Sequence, residues 1–373
     1  MVFYIDVTIH TEFSSRAATE DECIFFERLA ISRRYGNCIL LGNLSSLEDL
    51  TQCLPGIGRN CFQAIISRYS EQGAILEMAQ AVFVLKFNKD LQPENLPDCM
   101  KTKQSYIIPI NVAQAWFLDK PCYLLAENMV DCQFYKLVVD YYRKKHGFQK
   151  VTTSFLPEHG GGNTISQVLE NCLCEHKVIT LCIVDSDQKH GASSDYPNKP
   201  KEGETLRNVI LMSQKLQGNL SLPPHRVVPL YVHEVENLIP TSVLDGLLND
   251  LPAMKPGVSF LKQLKSIKDG EPVLFYDLKK GFPVMKDAPL RAYWQEIFME
   301  HLGGVLSDMS PTGEPATSTP FPPLSSNSLL KRAISYILNN MDELQVDDYL
   351  VPYWEELGGI LFTWGCAELP LFA

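Results

Sequence analysis

Six acidic side chains lie at or near the ends of apolar, strand-like segments in the middle of the chain. They are Glu127, Asp131, Asp185, Asp187, Glu234 and Glu236. In an open parallel sheet, ligands bind outside the carboxyl ends of the strands, so acids at three such ends are expected to converge on one crevice. Carboxylates crowded together repel one another and require cations. Hard oxygen ligands favour Mg²⁺ or Mn²⁺ over zinc, so the pattern predicts a metal site.

The spacing within two of these groups supports a shared site. Asp185 and Asp187 are two residues apart at a strand end, so both side chains can leave the same face. Asp131 follows Glu127 by four residues, which places both on one face of a helix's first turn. For any single acid, a helix cap or a solvated turn is an alternative, because Asp and Glu favour helix N-termini. The metal-site hypothesis therefore depends on the joint pattern.

The elements that would position these acids alternate between strand and helix. Apolar runs predict strands at 121–126, 148–155, 178–184 and 226–232. Helical spacing and cap signals predict helices at 130–145, 163–174 and 204–216. A glycine turn at 160–162 precedes the second helix, for which Asn163 is the expected N-cap. The alternation predicts βαβ units and a mainly parallel sheet flanked by helices, which is an α/β fold.

The flanking regions contain no motif with recognisable chemistry. Residues 1–119 are predicted to form an α+β region of unknown role, with a connecting loop at 91–103. Residues 120–240 are the predicted catalytic domain. Residues 241–373 are predicted to be mainly helical, with a loop rich in Pro and Ser at 308–328.

Composition limits the class of protein. The 373 residues include 44 Asp and Glu against 33 Lys and Arg, a net charge of -11, which argues against a passive nucleic-acid coat. It leaves room for an enzyme that meets phosphates through metal ions. The 11 cysteines show no C-x-x-C pairs and predict reduced structural thiols. Without a signal-like N-terminus or an apolar run of roughly 20 residues, we expect a cytoplasmic protein with no membrane partner.

Four sequence elements together resemble a TOPRIM domain. The closest likeness is to the OLD-family nucleases and to the stand-alone TOPRIM effectors of bacterial anti-phage systems of the PARIS type. The elements are Glu127 to Asp131, Gly160 to Gly162, Val184 to Asp187, and the E-x-E-N sequence from Glu234 to Asn237. The family usually has Gly after the first Glu. This chain has Asn128, which we expect to keep the turn because Asn tolerates left-handed backbone.

The resemblance implies a TOPRIM-like, Rossmann-like fold and a metal-dependent nuclease that hydrolyses phosphodiester bonds in DNA or RNA. It implies Asp185 and Asp187 as principal ligands of two Mg²⁺ or Mn²⁺ ions and Glu127 as ligand or general acid/base. Asp131 and Glu236, together with Glu234, would complete the metal sites. The chain has no Walker A pattern. A toxic defence effector of this type would therefore be controlled by a separate ATPase or sensor protein.

Several other residues are candidates for contact with substrate phosphates. They are Gly161, Gly162, Arg143, Lys144 and Lys189. Glycine turns let backbone approach a phosphate, and basic residues attract it. The alternatives are a plain loop for the glycines and a solvated helix end for the basic residues.

Two other classes of protein compete with the nuclease hypothesis. One is a catalytically silent interaction or regulatory module with a TOPRIM-like fold. The other is a receiver-like domain, which also binds Mg²⁺ at an acidic strand end. The order of the acids and the second acidic cluster after the last strand count against the receiver. Assembly into a homo-oligomer is compatible with all three hypotheses.

Overall fold

The computed structural model describes residues 1–87, 103–188, 203–279, 292–297, 324 and 328–369. The chain forms two compact units, each built from separate stretches of sequence. The first unit comprises Met1–Cys182, Val209–Val227 and Glu356–Ala373, and the second comprises Ile183–Asn208 and Val228–Glu355. The predicted loops at 91–103 and 308–328 lie largely outside the described residues, as does most of the polar segment 188–203.

A four-stranded parallel sheet lies in the N-terminal part of the first unit. Its strands are β1 (Val2–Ile5), β2 (Ile39–Gly42), β3 (Ala81–Lys86) and β4 (Gln104–Pro109), in the order β2-β1-β3-β4. Each neighbouring pair is parallel. The first three strands are buried throughout, as parallel strands covered on both faces are. The region is therefore of the α/β type, which differs from the α+β arrangement expected from the sequence.

Helices connect these strands. They are α1 (Thr8–Ser15), α2 (Glu20–Arg34), α3 (Leu44–Cys53), α4 (Gly56–Ser67), α5 (Gln72–Met78) and α6 (Ile110–Ala113). Helix α2 begins with a capping box in which Thr19 Oγ1 accepts from Glu22 N at 3.3 Å and Thr19 N donates to Glu22 Oε2 at 2.8 Å. Arg16 also donates to both oxygens of Glu22, at 2.9 and 2.6 Å.

A second four-stranded sheet is formed by the predicted middle region. Its strands are β5 (Cys122–Ala126), β7 (Phe155–His159), β8 (Thr180–Val184) and β9 (His225–Pro229), in the order β7-β5-β8-β9. Strand β5 is parallel to both β7 and β8. The connecting helices are α7 (Met129–Lys145), α8 (Ile165–Cys174) and α9 (Glu204–Leu216). The predicted α/β class, with parallel strands flanked by helices, is confirmed.

The C-terminal part is mostly helical in the portion that the structure describes. Its helices are α10 (Thr241–Gly246), α11 (Lys255–Lys265), α12 (Glu271–Phe275), a helix at 292–297, α13 (Leu329–Asn339) and α14 (Val351–Gly365). Strand β10 (Cys366–Glu368) then pairs antiparallel with β6 (Val151–Thr153).

The end of α14 and strand β10 complete the core of the first unit. Trp364 is fully buried with its ring 5.3 Å from that of Phe83 in β3. Beyond the helix, the half-buried Glu368 forms an ion pair with the buried Arg33 of α2 at 2.6 Å. The same unit contains a buried pair, in which Lys86 Nζ lies 4.0 Å from Asp6 Oδ2.

The described residues include ten cysteines, none of them in a disulfide. Burial raises the pKa of Cys38, Cys122, Cys132 and Cys172 to about 12 in each case. Such thiols stay protonated at neutral pH and act as small apolar side chains. Within the described ranges, no helix combines the length and apolar character that crossing a bilayer requires.

Candidate functional site

The first acidic strand end belongs to the start of helix α7. Glu127 follows β5 and is half-buried, and the exposed Asn128 is the N-cap residue with φ -133°. Asn128 N donates to Asp131 Oδ2 at 2.9 Å. The expectation that Asn128 would take a left-handed conformation was wrong, because an N-cap residue has extended backbone. Asp131 is buried and uses one carboxylate oxygen to cap the helix.

The glycine turn after β7 is explained by packing. Gly160 N donates to Ala126 O at 2.7 Å. A Cβ atom on Gly160 would lie 2.6 Å from Ile165 Cγ1 and 2.8 Å from Ala126 O, so only glycine fits. Gly161 and Gly162 follow with φ of 68° and 61°, in the left-handed region that favours glycine. The turn needs no phosphate to account for its sequence.

Asn163 does not cap helix α8 as expected. It lies inside a short 3-10 helix (Gly162–Thr164), and Thr164 is the residue that precedes α8. Sequence reasoning placed the helix start early because a 3-10 turn and an α-helical turn favour the same residues.

The three basic residues that were predicted to contact phosphate differ in what the structure shows of their side chains. Arg143 Nε donates to Val151 O at 2.7 Å, and Arg143 Nη1 donates to Asp140 Oδ1 at 2.8 Å. These bonds tie the end of α7 to β6, which favours the structural alternative for Arg143. Lys144 is exposed on the same helix end. Lys189 lies outside the described residues.

The second acidic strand end runs beside the segment that follows β9. After β8, Asp185 and Asp187 are half-buried while Ser186 between them is buried. Ser186 Oγ donates to Val232 O at 2.5 Å, and Asp187 N donates to His233 O at 3.0 Å. Asp187 has φ 53°, an uncommon conformation for a residue with a side chain. These bonds bring the D-x-D segment against the backbone of His233.

His233 has a defined tautomer. Its Nδ1 lies 3.1 Å from Gln188 O, and a carbonyl oxygen only accepts hydrogen bonds, so Nδ1 carries the proton. The other ring nitrogen, Nε2, lies 3.6 Å from Asp277 Oδ2. His233 and Asp277 are both buried.

His233, Glu234 and Asp277 form a group whose potential ligand atoms all lie within 4.8 Å of one another. Among the described residues, no other set of three His, Cys, Asp or Glu side chains meets this geometry. The predicted acids of the other strand ends are not members of it. His233 is adjacent to the E-x-E-N motif, so its position was a usable signal. Asp277 was missed because it is far downstream and follows no predicted strand.

Lys279 joins the two glutamates that the sequence predicted. Its Nζ lies 3.1 Å from Glu234 Oε2 and 3.1 Å from Glu236 Oε1. Burial opposes its charged form, but the carboxylates of Glu236 and Glu234 outweigh that effect and raise the pKa of Lys279. Glu236 is buried, and its Oε2 has no hydrogen-bond partner. One ammonium therefore serves two carboxylates at this end of the second unit.

Asn237 holds the glutamate segment in place. It is 2% exposed, and its Nδ2 donates to Val273 O at 2.7 Å and to Tyr276 O at 2.8 Å. Its Oδ1 accepts from Glu234 N at 3.0 Å. The asparagine thus fixes the backbone of Glu234 against the segment that leads to Asp277.

Comparison with known proteins adds no relative. No protein-family model, curated protein or solved structure matches the chain.

Proposed function

We propose that the chain is a metal-dependent nuclease of the TOPRIM type that hydrolyses phosphodiester bonds in DNA or RNA. The observation that supports this most directly is the group of acids after the strands of the second sheet. Asp187 hydrogen-bonds through its backbone to His233, and the next two acids, Glu234 and Glu236, share one lysine. Excess negative charge held in this way attracts divalent cations.

The residues present fit Mg²⁺ or Mn²⁺. Glu236 is more than nine-tenths buried and keeps one oxygen without a hydrogen bond, which a cation would satisfy. Two bound ions would supply a nucleophilic hydroxide and neutralise charge on the scissile phosphate. In this proposal, Asp185 and Asp187 hold the ions, and Glu127 serves as a further ligand or as general acid/base.

The other acids have narrower roles in the proposal. Asp131 positions Glu127 through the cap at Asn128, since one of its oxygens is used there. Glu234 and Glu236 complete the cation site on the second unit. Asn237 acts as a positioning residue, because it holds the backbone of Glu234.

The test is incubation of the purified full chain with Mn²⁺ and, separately, plasmid, linear DNA and total RNA. We expect cleavage of at least one substrate, with loss in Asp185→Asn at unchanged circular dichroism. Asp250→Asn is the matched control, because Asp250 is an exposed aspartate of the second unit. Full cleavage by the double variant Asp185→Asn, Asp187→Asn would exclude the proposed ligands. Absence of cleavage from all three substrates would exclude nuclease activity on them.

A role in anti-phage defence, triggered by a separate ATPase or sensor, is part of the same proposal and depends on the resemblance alone. Induced expression in bacteria tests it. We expect growth arrest with the wild type when a trigger is present and normal growth with Asp185→Asn. Equal growth of the two strains under phage challenge would contradict the defence role.

The silent module is a second candidate because a specific observation favours it. Lys279 already forms ion pairs with Glu234 and Glu236, and Asp131 caps a helix. Calorimetry with Mg²⁺ and Mn²⁺ on the wild type and on Asp185→Asn separates the two functions, since ion binding that depends on Asp185 is expected only of the nuclease.

A further inference from the structure

We propose that His233, Glu234 and Asp277 form a mixed nitrogen and oxygen site for a transition-series divalent cation, and that Lys279 is a built-in competitor for it. All four residues belong to the second unit. The site differs from the all-carboxylate set proposed for cleavage, and its occupancy can be measured without any substrate.

The spacing of the donor atoms suits one small ion. The three potential ligand atoms lie within 4.8 Å of one another, and His233 Nε2 is 3.6 Å from Asp277 Oδ2. Ligands about 2.1 Å from a common tetrahedral ion are separated by about 3.4 Å. The separation of His233 Nε2 and Asp277 Oδ2 is close to this value.

The histidine is prepared as a ligand. Metal-binding histidines usually donate their other ring N–H to a carbonyl or carboxylate, which fixes the tautomer and the ring plane. His233 Nδ1 makes this bond to Gln188 O at 3.1 Å. The other ring nitrogen, Nε2, faces Asp277 and is the atom that would bind an ion.

Asp277 is held in a similar way. Lys279 N donates to Asp277 Oδ1 at 3.0 Å, so the turn at 277–279 orients the carboxylate with Oδ2 toward His233. Both residues are buried, and such a buried ligand pair has little conformational entropy to lose when an ion binds.

A second observation at the same place indicates a missing positive charge. Glu236 is buried beside Glu234, with Oε1 on Lys279 and Oε2 without a hydrogen bond. A single ammonium balances only one of the two glutamate charges. A divalent ion bound at His233, Glu234 and Asp277 would supply the missing charge.

The donor set determines the class of ion. Imidazole nitrogen favours later first-row metals, whereas Mg²⁺ prefers all-oxygen sites and retains its water. We therefore expect Mn²⁺ to bind at least about tenfold more tightly than Mg²⁺ at this site. The six predicted carboxylates alone imply no such preference of Mn²⁺ over Mg²⁺.

Lys279 sets the affinity. Its ammonium shares Glu234 with the proposed ion, so binding must either displace the lysine or place two positive charges close together. Removing the ammonium should tighten Mn²⁺ binding by about tenfold or more. A gain of affinity cannot result from damage to the fold, which makes this variant the most informative one.

The experiment uses the full chain and Mn²⁺ as probe, with calorimetry for affinity and pulsed EPR for nitrogen coupling to the bound ion. We expect a nitrogen coupling in the wild type that is lost in His233→Gln. We expect Asp277→Asn to weaken binding at least tenfold and Lys279→Gln to tighten it. Circular dichroism checks the fold of each variant.

Two matched controls are available. His10→Gln alters a second histidine that contacts an aspartate, since His10 Nδ1 lies 2.7 Å from Asp49. Lys262→Gln removes an exposed lysine paired with Asp245 at 2.7 Å in the second unit. Neither should change Mn²⁺ affinity or the EPR signal.

The result that overturns the proposal is Mn²⁺ binding without nitrogen coupling, or with an affinity that His233→Gln and Lys279→Gln both leave unchanged. Loss of cleavage in Asp185→Asn with the nitrogen coupling intact would support this site together with the nuclease. An intact coupling in a chain that cleaves nothing would support this site and reject the nuclease.

Discussion

Replacing Asn237 with Asp should destabilise the second unit, although the two side chains have nearly the same shape. Asn237 Nδ2 donates to two buried carbonyls, those of Val273 and Tyr276. A carboxylate keeps the acceptor role toward Glu234 N but has no donor to offer. A buried carbonyl that loses its donor costs about 1–3 kcal/mol, so two of them predict a loss of about 4 kcal/mol.

Urea denaturation followed by tryptophan fluorescence measures this loss. Trp354 is fully buried in the same unit and donates to Leu238 O at 2.9 Å, beside Asn237, so its emission should report the transition. With a slope of about 2 kcal/mol per molar urea, the midpoint should fall by about 2 M. A change of this size in the urea midpoint of the second unit is far larger than experimental error.

Asn219→Asp provides the same chemical change at a site where the amide is used only as acceptor. Asn219 is exposed, and its Oδ1 accepts from Ser221 N and Ser221 Oγ. We expect Asn219→Asp to change the free energy of unfolding by less than about 0.5 kcal/mol, as most surface substitutions do. Equal effects of Asn237→Asp and Asn219→Asp would refute the role assigned to the two donated hydrogen bonds.

Three further predictions concern the first unit. Lys86→Met should destabilise it by about 3–5 kcal/mol in thermal unfolding, because it leaves Asp6 buried without its partner. Gly160→Ala should cost about 1–3 kcal/mol in the same measurement, since the new methyl group collides with backbone. Arg16→Gln should make the free energy of unfolding of the first unit fall less steeply as the pH is lowered. The Arg16 hydrogen bond outweighs burial and holds the pKa of Glu22 below its usual value, so the stabilisation is present above pH about 4.3 and is lost as pH falls through the lowered pKa.

Each of these has a control or a contradicting outcome. Gly73→Ala lies in helix α5, where a new Cβ meets no atom within 4 Å, and should stabilise by about 0.5–1 kcal/mol. A neutral Gly160→Ala would contradict the packing argument. An effect below about 1 kcal/mol in Lys86→Met, or an unchanged acid limb in Arg16→Gln, would show that the corresponding pair contributes little.

Three of the four strands of the second sheet were predicted because they have a strong local signal. The strand predicted at 148–155 was wrong for this sheet, since it falls mainly on β6, which pairs with β10, whereas the sheet contains β7 at Phe155–His159. Strand β8 is a continuous apolar run, and helix α9 was predicted with the bounds that the structure has. The parallel pairing of β1 with β3 was not predicted. These strands are short, and their neighbours in the sheet are far apart in sequence, so no local pattern reports the pairing direction.

Some residues of the candidate site were likewise predictable from a local sequence pattern, and others were not. The acids at strand ends were visible from the sequence, because a strand followed by acids is a local pattern. Asp277 and Lys279 were not visible, since they reach Glu234 and His233 only through the fold. The capping role of Asp131 was one of the alternatives stated for it, and the structure gives the hydrogen bond.

The ion pair between Arg33 and Glu368 has a consequence for biosynthesis. It joins helix α2 to strand β10, which follows more than 300 residues later in the chain. Trp364, which packs beside Phe83, belongs to the helix that directly precedes β10. On a ribosome, the parallel sheet of the first unit would emerge long before the residues that close its core. Joining such distant segments costs about 5 kcal/mol of chain entropy. Until residues 364–368 have been made, the strands of the first sheet lack part of their core, which exposes them to pairing with other chains.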